Sequence, residues 1–152
     1  MIFSGVDNQT VEFKITNYQF PGNNDGDWDG NWLNIYLKVD CKLGKWQTVD
    51  PSLTTWEVQE IINWFNKLSK DNEPEDRLMT FTEPNLSLEL LNEPTDKKKL
   101  IRINFDLESK PKSAKDDKVY YVDLLTENKE LIEIVDGLKK ELNKYPERKP
   151  TA

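Results

Sequence analysis

The chain has 152 residues, 28 acidic and 21 basic, for a formal net charge of -7; that length suffices for one domain with a substantial core, and the charge opposes contact with nucleic-acid phosphates at long range. It contains no histidine and one cysteine, which excludes His-dependent nucleophilic triads, His-containing zinc sites and an internal disulfide. No apolar run approaches the roughly 20 residues that span a bilayer, and the N-terminal MIFSGVDNQT lacks the basic-then-apolar pattern of a leader, so a cytoplasmic protein with no membrane partner is expected.

In chain order, Val11, Phe13 and Ile15 alternate with Glu12, Lys14 and Thr16, the period-2 signature of a half-buried strand, and Ile2 to Ser4 can pair beside it. After Phe20-Pro21-Gly22, a loop crowded with Asp, Asn, Gly and Trp leads into Asn31 to Cys41. There Leu33, Ile35, Leu37, Val39 and Cys41 take one face, and Trp32, Asn34, Tyr36, Lys38 and Asp40 the other. Cys41 is expected as a small core residue. A turn at Gly44 and an antiparallel partner over Lys45 to Val49 complete a hairpin. Asp50-Pro51-Ser52-Leu53 breaks the sheet pattern. Thr54 with Glu57 then forms a capping box that opens a helix running to Lys70, with Val58, Ile61, Ile62, Phe65 and Leu68 on one face.

Three further strands are expected, over Arg77 to Glu83, Leu86 to Leu91 and Leu100 to Glu108, as an antiparallel meander broken by Pro84-Asn85 and Asn92-Glu93-Pro94. In the last of them Ile101, Ile103, Phe105 and Leu107 face one way, and Lys97-Lys98-Lys99 reads as a solvated start. Ser109 to Asp117 contains no sizeable apolar residue and is expected to be an exposed, mobile loop. A strand over Val119 to Leu124 follows. Thr126 is placed to cap a second helix, striped by Leu131, Ile134, Val135, Leu138, Leu142 and Tyr145. Residues 146–152 are expected to fray. The sum is an α+β fold in one domain spanning 1–152: a predominantly antiparallel sheet of about six to eight strands with two packed helices.

The loop before the long central strand is where chemistry would concentrate. Asp25-Gly26-Asp27-Trp28-Asp29-Gly30 matches the first half of a calcium loop, whose alternate carboxylates converge on one ion. Against that reading, the twelfth position holds Tyr36 where a bidentate Glu is required, and no helix precedes the loop. Alternatively, these side chains satisfy backbone amides in tight turns. As a third reading, acidic groups interleaved with Trp and Tyr make an anchor set for a protein partner, with Asn24, Asp25, Asp27, Tyr36 and Asp40 as the contact candidates. A carbohydrate-binding module using the Asp and Trp residues of 23–32 is the remaining alternative. No carboxylate pair stands out as catalytic, and the chain has no P-loop, G-x-G-x-x-G or CxxC motif. It is therefore read as a non-enzyme without a cofactor.

The run NYQFP, the polar loop, DxWDxNWLNIYLKV, a turn with GKW and then DPSLTTWEVQEIINWF resembles the WapI-type immunity proteins of bacterial polymorphic toxin systems. The likeness covers about Tyr18 to Phe65. It implies a cytosolic bacterial protein that binds the C-terminal toxic domain of a polymorphic toxin, often a nuclease, and blocks it. No binding residue carries over from the family; the shared landmarks Trp28, Asp29, Asn31 and Trp32 suit a role in the fold equally well.

Overall fold

The computed structural model describes residues 1–115 and 117–150. Its first sheet is built from β1 (Ile2–Ser4), β2 (Thr10–Tyr18), β3 (Trp32–Cys41) and β4 (Gly44–Thr54), in that order and antiparallel throughout. The helix α1 (Thr55–Leu68) follows. A second antiparallel sheet comprises β5 (Leu78–Met79), β6 (Leu86–Leu90), β7 (Lys99–Phe105) and β8 (Tyr120–Thr126), again in chain order, and α2 (Asn128–Lys144) closes the fold. The fold is thus α+β, with eight strands and two α-helices among the described residues, as the alternation and helical stripes predict. No helix among the described residues is long and apolar enough to cross a membrane.

The sheets and helices share one core. Phe13 and Leu37 from the first sheet, Leu88 and Ile103 from the second, Ile61 of α1 and Leu138 of α2 converge around a cavity of only about 30 Å³, so the interior is filled to the density expected of a protein core. Elsewhere Trp46 of β4 reaches the second sheet, with its ring edge-on to Phe105 and Tyr120 at 5.7 Å and its indole N–H donated to the Ser109 carbonyl at 2.8 Å. The α1 capping box forms as expected. Thr54 Oγ1 accepts from the Glu57 amide, and Glu57 Oε1 accepts from the Thr54 amide at 2.9 Å. The second oxygen of Glu57 takes the Thr82 amide at 2.8 Å, tying the segment before β6 to the helix start.

Several local expectations are corrected. The strand β4 runs through Asp50-Pro51-Ser52-Leu53, because it is the edge of its sheet and Pro51 faces Asn34 beside a register shift, the positions in a sheet that tolerate proline. Trp32 is buried although its parity places it outward, with the Trp28 ring packed against it at 6.1 Å. The β7 strand ends at Phe105: Asp106 accepts the Leu107 amide, the Ser109 hydroxyl accepts the Asp106 amide, and Leu107 is turned out to solvent at φ 45°. Ser109 is accordingly a buried anchor rather than part of an exposed loop, while Asp116 of that loop lies outside the described residues. Thr126 is the last residue of β8, with its hydroxyl on the Lys99 carbonyl, and Glu127 holds the position before α2 without a side-chain cap.

A further correction concerns charge. Lys99 is fully buried, with its ammonium donated to the Asp71 carboxylate and to Asn128 Oδ1. Asp71 terminates α1 in the left-handed region at φ 59°, and Asn128 begins α2. One lysine therefore joins the end of α1, the start of β7 and the start of α2. Hydrogen bonding from Lys99, then from Asn128, holds the Asp71 carboxyl below the usual carboxylate range.

Candidate functional site

The loop between β2 and β3 is closed from behind by the C-terminal segment that follows α2. Tyr145 donates its hydroxyl to the Thr16 carbonyl at 2.8 Å, and Tyr18 donates its own to the Pro146 carbonyl at 2.6 Å. Arg148 then inserts its guanidinium into the loop. One nitrogen donates to the carbonyls of Phe20 and Asn23, the other to that of Pro21 at 2.8 Å, and the group lies over the Tyr18 ring at 3.6 Å. A planar cation with five donors suits such a ring of carbonyls, which an ammonium could not span. The described part of the expected frayed tail is thus docked, because its arginine satisfies carbonyls that the loop leaves open; residues 151–152 lie outside the described residues.

Asn31 is the hub of this corner. It is fully buried and uses both ends of its amide. Its Nδ2 donates to the carbonyls of Asp27 and Arg148, and its Oδ1 accepts from the Thr55 hydroxyl and the Arg148 amide, all at 2.9–3.0 Å. Loop, helix start and C-terminal segment meet on that one side chain. Gly26, at φ 75°, allows the tail to pass, since a Cβ there would collide with the backbone of Lys149 and Pro150.

The sequence-derived candidates fall into three groups. Asp27 is exposed, and its carboxylate accepts from the Gly30 amide at 2.7 Å and from Asn23 Nδ2 at 3.2 Å, as the turn reading expects. Asn24 and Asp25 are exposed on the loop rim, and the Asp25 amide donates to Asn23 Oδ1. Tyr36 and Asp40 lie apart, on the outer face of β3: Tyr36 donates to Gln47, and Asp40 pairs with Lys45 at 3.5 Å. Asp40 is about 25 Å from the loop end of the strand at ~3.3 Å per residue. The five residues do not form one patch.

For the calcium reading, Asp25, Asp27 and Asp29 do not converge, and among the described residues no three acidic, Cys or His groups come together around a cation position. The cation in this loop is Arg148, held by carbonyls. For the sugar reading, Trp32, Trp46 and Trp64 are buried. The loop exposes Phe20 and Trp28; Trp28, 52% exposed, tilts its ring against Trp56 at 5.3 Å and meets Trp32 edge-on at 6.1 Å. Trp56 donates its indole N–H to Glu147 at 2.8 Å.

Sequence reasoning missed a further part of this surface. Beyond the Trp28–Trp56 ledge, Glu60 projects from the polar side of α1, and its carboxyl is pushed up by burial and then by repulsion from Glu57 and Glu75. A charge on a polar helix face carries no signal of its own, so only the arrangement in space reveals it.

Comparison with curated proteins and with solved structures finds no match. A family model does match: that of the immunity protein WapI-like family, over residues 1–146. This span extends the Tyr18–Phe65 likeness across both sheets and both helices, and takes in the landmarks Trp28, Asp29, Asn31 and Trp32. With nearly the whole chain matched, the protein belongs to the WapI-like immunity protein family, a family of toxin-neutralising proteins.

Proposed function

We propose that the chain binds a cognate polymorphic-toxin C-terminal domain, a nuclease, in the cytoplasm, and neutralises it by occlusion without turnover. The observation that carries this reading is the family match over residues 1–146. Physical support comes from the net charge of -7, since a nuclease must present a basic groove to phosphates and an acidic inhibitor is steered to such a groove. Asn24 and Asp25 on the exposed loop rim are the sequence-derived contact candidates whose side chains are not spent on the fold. Asp27 serves the turn.

Expression of the adjacent toxin domain in a host, with and without this chain, tests the reading. Rescue of growth, together with a one-to-one complex on size-exclusion chromatography, is the expected result. Persistent toxicity with no complex would overturn it. Measuring substrate cleavage by the toxin against increasing amounts of this chain separates occlusion from destruction of the toxin, because occlusion titrates to a sharp stoichiometric end point.

A further inference from the structure

Along the outer side of α1, three shallow concavities of about 390, 330 and 420 Å³ meet at Glu60. One runs past Asn63 and Lys67 to Glu75 and Asp76; the second is walled by Trp28 and Trp56; the third leads to Glu147. Together they form a furrow between the helix, the 75–82 segment and the C-terminal segment. Its charge is dominated by carboxylates, with Lys67 as the lysine on its wall.

These carboxylates differ in kind from those on the outer face of the first sheet. There, Glu12 is paired with Lys14 and Asp40 with Lys45. In the furrow Glu57 is spent on two backbone amides and Glu147 on Trp56, whereas the carboxylates of Glu60, Glu75 and Asp76 enter no hydrogen bond or ion pair among the described residues, Asp76 accepting the Trp64 indole N–H only through its carbonyl. The Glu60 carboxyl is raised first by burial and then by repulsion from Glu57 and Glu75.

The chain itself shows what such a place receives. On the second sheet, Arg102 makes a two-pronged pair with Asp123 at 2.8 and 3.0 Å while lying over the Tyr121 ring at 4.0 Å. An aromatic face plus a carboxylate is a receptor for a guanidinium or ammonium group, as stacking and ion pairing reinforce one another. The furrow presents both components, the Trp28–Trp56 ledge and Glu60, facing solvent.

We propose that this furrow, centred on Glu60 and bounded by Trp28 and Trp56, is the receptor for an arginine- or lysine-bearing segment of the toxin domain. The proposal rests on the toxin-neutralising reading above and assigns that reading a surface. The cationic side chain lies against the indole ledge and pairs with Glu60, while Glu75 and Asp76 extend the negative field along the helix for neighbouring basic residues.

Isothermal titration of the full chain with the toxin domain encoded beside it tests the assignment. Glu60→Lys and Trp28→Ala are each expected to weaken binding at least tenfold, with a thermal midpoint within a few degrees of wild type. Glu108→Lys, an equal change of charge at an exposed site outside the furrow, is expected to bind as wild type. Should Glu60→Lys perturb folding, Glu60→Gln removes the charge alone and is expected to weaken binding severalfold. If wild type binds and the Glu60 and Trp28 variants bind equally well, the furrow is overturned and neutralisation stands on another face. If wild type does not bind, the neutralising reading falls and the furrow with it.

Discussion

Two corners of this molecule are each held by one cation. At one, Lys99 is fully buried and its ammonium meets the Asp71 carboxylate and the Asn128 amide. At the other, Arg148 is partly exposed and its guanidinium meets the carbonyls of Phe20, Pro21 and Asn23 across the Tyr18 ring. The difference follows from the shape of the charge. An ammonium is a compact point charge that needs a countercharge when taken out of water. A planar guanidinium can stay near solvent and spread its donors over neutral oxygens, with its face on an aromatic ring. Lys99 therefore belongs to the core, and Arg148 to the surface where the loop must be shaped.

Removing the buried cation should cost most. Lys99→Ala loses the packed stem and leaves Asp71 and Asn128 without their shared donor, so a destabilisation of about 3 kcal/mol is expected. For a chain of this size that is a fall of roughly 6–12 °C in Tm by calorimetry. A change under about 1 kcal/mol would mean that the α1–β7–α2 junction repacks without its lysine.

The same corner should set part of the acid limb of stability. Asp71 has its carboxyl lowered from the ordinary value of 3.8, first by the Lys99 hydrogen bond and then by Asn128. A carboxyl with a depressed folded-state pKa contributes stability above its unfolded value, and that contribution is lost as pH falls through the folded value. Denaturant titrations below pH 4 should thus show a shallower loss of stability in Asp71→Asn than in wild type. Identical slopes would assign the acid limb to other carboxylates, with Asp106, lowered by the Leu107 amide and Lys110, as the next to examine.

Arg148→Ala should cost less, about 1–2 kcal/mol, because the side chain is half in solvent and its acceptors can turn to water. Its larger effect should be local. Freed of the clamp, the Trp28–Trp56 ledge loses its support, so a red shift in tryptophan emission and faster amide exchange across Pro21–Gly30 are expected. Arg148→Lys should recover less than half of the loss, since one ammonium cannot span the three carbonyls and cover Tyr18. Full recovery by lysine would show that charge alone holds the loop, and would erase the contrast between the two corners.

The two corners also differ in how far the sequence reveals them. Ile101, Ile103 and Phe105 point inward at period 2, and the same parity carried back two residues places Lys99 in the core; the three-lysine run conceals this by suggesting a solvated face. Arg148 leaves no comparable trace. It follows a helix stripe that ends at Tyr145, lies outside the family match over 1–146, and acts through backbone carbonyls, which every residue possesses. The alternation of β2 and β3, the capping box at Thr54 and both helical stripes were legible because each is a local pattern repeated along the chain. The ends of elements were not, since Asp106 and Ser109 at one turn and the register shift at Leu33 depend on partners distant in sequence.

The smallest expected effect is that of calcium, and it bears most directly on the loop. Its D-x-D-x-D-G run suggests an ion, yet Asp27 is committed to the Gly30 amide and the carbonyls that could complete a shell are taken by Arg148. An ion bound by the native state alone at micromolar affinity would add about 4 kcal/mol at millimolar calcium. The expectation is instead a midpoint unchanged to within about 1 °C between millimolar calcium and EDTA. Arg148→Ala makes the comparison sharper, for it empties the carbonyl ring while leaving every loop carboxylate in place. If calcium then stabilises the variant but leaves wild type untouched, arginine has taken the place of an ion; if neither responds, the carbonyl ring is shaped for a guanidinium alone.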